Sequence, residues 1–177
     1  MSSLTDGATL SLGLLVARLV FGLLMVGHGT QKLFGWFGGY GLAGTGGFFE
    51  TLGFRPGRTF VAAASVTEIT SGLLLALGFL GPVGPALMIS VMIVAAISVH
   101  WKNGLFAATN GIEVPLLYAA GAVALALTGP GRFSLDGLLG LESLWTPGII
   151  WAAIALGVVG GIVNLGLRRP ASQPAAA

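Results

Sequence analysis

Residues 10–34 read LSLGLLVARLVFGLLMVGHGTQKLF. At about 1.5 Å of rise per residue, a run of this length crosses the roughly 30 Å hydrocarbon core of a bilayer. Set into it are Arg18, His28 and Lys32. An ionisable group inside an apolar span is costly, and such groups usually face a bundle interior, pair with one another or line a polar path. A secretory signal is not expected here, because no basic segment precedes the run and Arg18 interrupts it.

The rest of the chain repeats this pattern. Of 177 residues, 55% are hydrophobic and 8% charged, and the mean hydropathy is +0.94. A soluble domain would have to leave much of that apolar surface in water. Thirty glycines suit a membrane bundle, where small residues let helix backbones approach closely. The absence of cysteine excludes disulfides, thiolate metal ligands and CxxC chemistry by the chain itself. The net charge of +2 rests on few groups, and no basic cluster with interleaved aromatics points to nucleic acid.

Breakers divide the chain into an all-α membrane bundle. A polar leader, 1–9, offers Thr5 and Asp6 as caps for the first span, 10–34. The second span is expected at 59–80, closed by Gly81-Pro82, the third at 83–100 with Trp101 as an interfacial anchor, and the fourth at 112–128. A turn-rich segment leads into a fifth span at about 148–167, within an additional C-terminal stretch 141–169, and a disordered tail is expected at 170–177. With five spans, one membrane face receives Lys32, Arg55, Arg58, Lys102, Arg168 and Arg169, and the other only Arg132. The positive-inside bias makes the first face cytoplasmic, with the N-terminus outside and the C-terminus inside.

Depth then suggests partners. Arg18 lies roughly 12 Å below the outer boundary and Glu68 roughly 13 Å from the inner one. These depths are close enough to pair the two near mid-membrane, either as an ion pair that sets helix register or as the flanks of a polar cavity. His28 and Lys32, spaced i and i+4, meet His100 and Glu113 at the cytoplasmic edge. That set reads either as polar caps and snorkelling cations, the reading preferred for Lys102 and Arg58, or as a functional cluster in which a carboxylate tunes histidine. Arg18, His28, Lys32, Glu68, His100 and Glu113 are thus the candidate ligand-binding residues. No HxxxH or ExxH spacing supports a metal site.

Two motifs mislead. Gly39-Tyr40-Gly41-Leu42-Ala43-Gly44 matches G-x-G-x-x-G but sits between spans, with no strand before it. It reads as a connector into a short interfacial helix capped by Thr45 and carrying Phe48, Phe49 and Leu52. Ser65, Ser71 and Ser90 have no nucleophile elbow around them.

The pieces ARLVFGLLMVGHGTQKLFGWFGG, GTGGFFETLGFRPG, SVTEITSGLLLALG, VHWKNGLF, NGIEVPLLY and GPGRFSLDGLL together resemble the DoxX family of bacterial membrane proteins over about residues 10–140. The resemblance implies a four-helix membrane core, to which the fifth span is an addition. It implies a link to quinone-coupled sulfur oxidation, as in the DoxD subunit of a thiosulfate:quinone oxidoreductase, or to oxidative-stress complexes with soluble redox enzymes. It also carries Lys102, Asn103, Arg132, Ser134 and Asp136 as secondary polar positions. The bundle is similar to vitamin K epoxide reductase-like enzymes, whose thiol chemistry a chain without cysteine cannot share.

The reading that follows is a multi-pass plasma-membrane protein of redox homeostasis. It would be a quinone-interacting subunit or a membrane partner of soluble redox proteins, with quinone as the implied ligand. Whether the chain is itself an enzyme stays open, since nothing in it holds an electron carrier. The alternative is a non-enzymatic scaffold or small-solute permeability protein. A bundle this small commonly associates with copies of itself, though no face declares an interface.

Overall fold

The apolar run at 10–34 lies within one helix, α1 (Ser2–Phe34). In the computed structural model, which describes residues 2–169, every regular element is helical. Because α1 starts at Ser2, the caps expected at Thr5 and Asp6 do not mark its beginning. Residues 2–9 contain no proline, and extending an existing helix costs little. After α1 come α2 (Gly41–Thr51), α3 (Gly57–Leu77), α4 (Val83–Ala95), α5 (Glu113–Thr128), α6 (Leu135–Leu139) and α7 (Pro147–Gly166). The helix of α4 continues through a π turn, Ala96–His100, and a 3-10 turn, Trp101–Asn103. The expected tail at 170–177 lies outside the described residues.

Among the described residues, four helical stretches are long and apolar enough to cross a membrane: Gly7–Phe34, Gly57–Leu77, Val83–Asn103 and Pro147–Gly166. The shorter α5 runs beside them from one end of the bundle to the other. Its first residue bonds the loop after α4 through Glu113 N to Leu105 O, and its last residues border Gly81 and Trp145 at the far end. The all-α membrane bundle therefore forms as expected. Its core joins Met25, Leu75, Met88, Ile89, Met92, Tyr118, Ala122, Leu125 and Ile154 from α1, α3, α4, α5 and α7. Outward-facing Val16, Leu24, Leu156 and Val163 are exposed, as lipid-facing residues are.

Glycine sets the register of the antiparallel α1–α3 pair. A Cβ added at Gly22 would come within 2.5 Å of the Gly72 carbonyl oxygen, and one at Gly29 within 2.8 Å of the Ser65 oxygen. No other residue allows that approach. The same device seats α7 on α4, where a Cβ at Gly157 would lie 2.5 Å from the Ala86 oxygen.

At the opposite flank, α2 differs from the expected interfacial helix. It starts at Gly41, so Thr45 is inside it and is not its cap. The connector folds back so tightly that a Cβ on Gly39 would collide with the Gln31 backbone, and α2 begins straight after it, with Tyr40 at its N-cap. Beyond α7 the chain returns to the α2–α3 turn: Arg169 N donates to Gly53 O (2.8 Å) and Arg168 Nε to Leu52 O (2.9 Å).

Candidate functional site

A cavity of about 390 Å³ opens at the end of the bundle where α1 finishes and α3 begins. α1 contributes His28 and Lys32, and α3 contributes Phe60, Ala64, Thr67 and Glu68. The end of α4 adds Ser98, Val99 and His100, α5 adds Tyr118, and α7 adds Asn164. The side of α2 carrying Thr45, Phe48, Phe49 and Leu52, with Phe54 just after it, walls the cavity. Its aromatic residues, expected at the membrane surface, thus partly serve a protein interior. The walls are mostly apolar, with a few convergent polar groups, which is the usual character of a small-molecule site.

Glu68 is the most buried charge of the cavity, with 4% of its side chain exposed. Lys32 Nζ donates to both carboxylate oxygens at 2.8 Å and more weakly to the His28 carbonyl at 3.4 Å. Lys32 keeps 27% of its side chain accessible. Its ammonium therefore reaches from the end of α1 back along the helix to neutralise a carboxylate deeper in the bundle. The His28 ring meets Tyr118 edge-on at 5.9 Å, and Tyr118 packs likewise on Phe21 at 5.6 Å. Tyr118 also lies within electrostatic reach of Glu68. His100 holds the carbonyl of Asn110 through Nδ1 at 2.8 Å.

The expected Arg18–Glu68 pair does not form. The glycine-set register places Arg18 beside Gly78, at the C-terminal end of α3, whereas Glu68 lies near the middle of that helix, roughly 15 Å away along its axis. Boundary counting failed because α1 runs past the end of α3, so residue 10 does not mark the depth at which α3 ends. Arg18, 2% exposed, donates through Nη2 to Phe133 O, and buried Asp136 attracts it electrostatically. Asp136 in turn accepts from Leu80 N (2.9 Å), Gly81 N (2.7 Å) and Trp145 Nε1 (2.8 Å). Ser134 caps α6 by accepting from Gly137 N at 3.0 Å, and Arg132 is exposed. These residues fasten the far end of the bundle and are remote from the cavity.

Glu113 does not line the cavity either. Its Oε2 accepts from Ala107 N at 2.7 Å and so holds the loop after α4. Lys102 is exposed, and Asn103 Nδ2 donates to the carbonyls of Val99 (3.3 Å) and Asn110 (3.2 Å). The structure thus brings His28, Lys32, Glu68 and His100 together and leaves Arg18 and Glu113 apart. Sequence reasoning missed Ser98, Tyr118 and the aromatic wall. The lone tyrosine of an otherwise apolar helix was the available signal, since its hydroxyl needs a polar neighbour.

The family model for DoxX matches residues 13–101, about half of the chain. The chain belongs to the DoxX family. No curated protein and no solved structure matches it. The matched DoxX segment carries His28, Lys32, Glu68 and His100, together with the α2 wall. Tyr118, Glu113, Asp136 and α7 lie beyond it, so part of this DoxX member's cavity comes from outside the segment that the family model matches.

Proposed function

We propose that this DoxX protein holds the polar head of a membrane quinone in the cavity between α1 and α5. It would do so in the plasma membrane as a quinone-interacting subunit, or membrane partner, of soluble enzymes of redox or oxidative-stress homeostasis. One observation carries this reading: a mostly apolar cavity of about 390 Å³ meets Lys32, Glu68, His28 and His100 at its polar margin. An isoprenoid-like tail suits the aromatic and aliphatic walls, and a ring bearing oxygens suits the polar margin. Lys32 holds the Glu68 carboxylate in place, the imidazoles and the Ser98 hydroxyl offer hydrogen bonds to the head, and Glu68 is a proton acceptor. Electrons must come from a partner protein or a bound cofactor, because no side chain of this protein carries them. Orientation enters the same proposal. Lys32, Arg58, Lys102, Arg168 and Arg169 gather at the cavity end, which supports placing that end, and the C-terminus, in the cytoplasm.

The test is binding of decylubiquinone to the full chain in lipid nanodiscs, corrected for partition into empty discs. Saturable binding is expected, and Ala64→Trp, which fills the cavity, should weaken it at least tenfold while the protein stays monodisperse. Absence of saturable binding to the wild type would overturn the proposal.

A further inference from the structure

The polar groups of the cavity differ in how much hydrogen-bonding capacity they have left. The Lys32 ammonium has three protons, with both Glu68 oxygens and the His28 carbonyl in reach. It is satisfied internally. His100 is not. Its Nδ1 lies 2.8 Å from the Asn110 carbonyl oxygen, and a carbonyl can only accept. Nδ1 therefore carries the ring proton, and Nε2 of the neutral imidazole is a bare acceptor.

The protein holds this tautomer by construction. Asn110 sits in the left-handed region at φ 61°, where Asn is tolerated because its short polar side chain bonds locally. The Asn110 carbonyl also receives Asn103 Nδ2 at 3.2 Å. Thr109 Oγ1 donates to Asn103 O at 2.8 Å, and Glu113 accepts from Ala107 N at 2.7 Å. The whole loop is pinned around one carbonyl, so His100 cannot readily exchange acceptor for donor.

Two residues earlier, in the π turn Ala96–His100, the Ser98 hydroxyl is buried against the cavity without a hydrogen-bond partner. A helical serine usually returns its proton to a carbonyl of the preceding turn, and π turns recur at functional sites. One end of α4 thus presents an unfilled acceptor and an unfilled hydroxyl to an apolar cavity.

We infer that the cavity selects a ligand bearing an O–H on an aromatic ring, a phenol or quinol, over its carbonyl or ether counterpart. His100 Nε2 accepts the ligand proton, and Ser98 Oγ supplies a second hydrogen bond. This rests on the quinone reading above and sharpens it: the reduced form of the head is the one the site completes. A quinone carbonyl facing His100 Nε2 would set acceptor against acceptor and leave both unsatisfied, a penalty of the size that separates affinities about tenfold.

The test compares 4-nonylphenol with its methyl ether, 4-nonylanisole, which share a tail and ring and differ by one O–H. Both are titrated at pH 8 into the full chain in nanodiscs against empty discs, with decylubiquinone alongside. The phenol is expected to bind at least tenfold tighter than the ether. His100→Phe should bring that ratio close to one while ether binding persists, and Ser98→Ala should reduce it about threefold. Equal affinity of phenol and ether for the wild type, with decylubiquinone bound, overturns the selectivity and leaves the cavity reading standing. No saturable binding of any of the three compounds overturns both. The wild-type comparison decides the matter even if His100→Phe fails to fold.

Discussion

At the residue scale, the Lys32–Glu68 pair illustrates how a membrane bundle tolerates charge. Glu68 is placed by α3 where water is scarce, and only an ammonium with a flexible stem reaches it from the end of α1. Removing either partner leaves the other charge uncompensated, a loss of about 3–5 kcal/mol in buried pairs, whereas replacing both with apolar residues is often neutral. Lys32→Leu and Glu68→Leu should therefore each lower the unfolding midpoint in detergent, and the double variant should recover most of the loss. Additive losses in that cycle would show that the two charges act independently. The same cycle separates roles: if the recovered double variant still binds decylubiquinone like the wild type, the pair only joins α1 to α3.

At the level of elements, α2 and α7 decide how the cavity is enclosed. α2 is short, and its apolar side walls the cavity, so it depends on what anchors its C-terminal turn. That anchor is the end of α7. Arg168 Nε bonds Leu52 O at 2.9 Å, and its guanidinium stacks over the Phe54 ring at 5.7 Å. Phe54, 1% exposed, is one of the most buried side chains in the protein. Arg168→Ala should raise amide exchange severalfold in the peptide covering residues 49–57 without changing exchange in the middle of α3. An unchanged exchange rate there would mean that α2 is held by its contacts with α1 and α3 alone.

The whole molecule divides its polar residues between two ends with different tasks. The cavity end carries the satisfied ion pair and the two histidines. The far end carries Asp136, whose three accepted hydrogen bonds tie Leu80, Gly81 and Trp145 together beside Arg18. Because the chain has no cysteine, orientation is testable without background. In intact cells a membrane-impermeant maleimide should label Glu142→Cys, whereas Lys102→Cys should react only after permeabilisation. The reverse pattern would invert the topology proposed from the basic residues.

Much of this protein is legible in its sequence. Apolar runs bounded by Gly, Pro and aromatic residues determine that it is a helical membrane bundle, because backbone polar groups in lipid must be satisfied within a helix. The cost of charge in that setting marks Arg18, Lys32 and Glu68 as residues that must find partners. Which partners they find was another matter. Counting residues from assumed span boundaries matched Arg18 with Glu68. The contact of Gly22 with Gly72 instead sets Arg18 beside Gly78 and leaves Glu68 to Lys32. Glu113, two residues past Gly111, looked like a cluster member and serves a loop. Such outcomes depend on where two backbones touch. A helix can slide against its neighbour by a turn without changing its own composition or periodicity. Only the packed structure, through the few glycines that permit close approach, selects one register and with it each charge's partner.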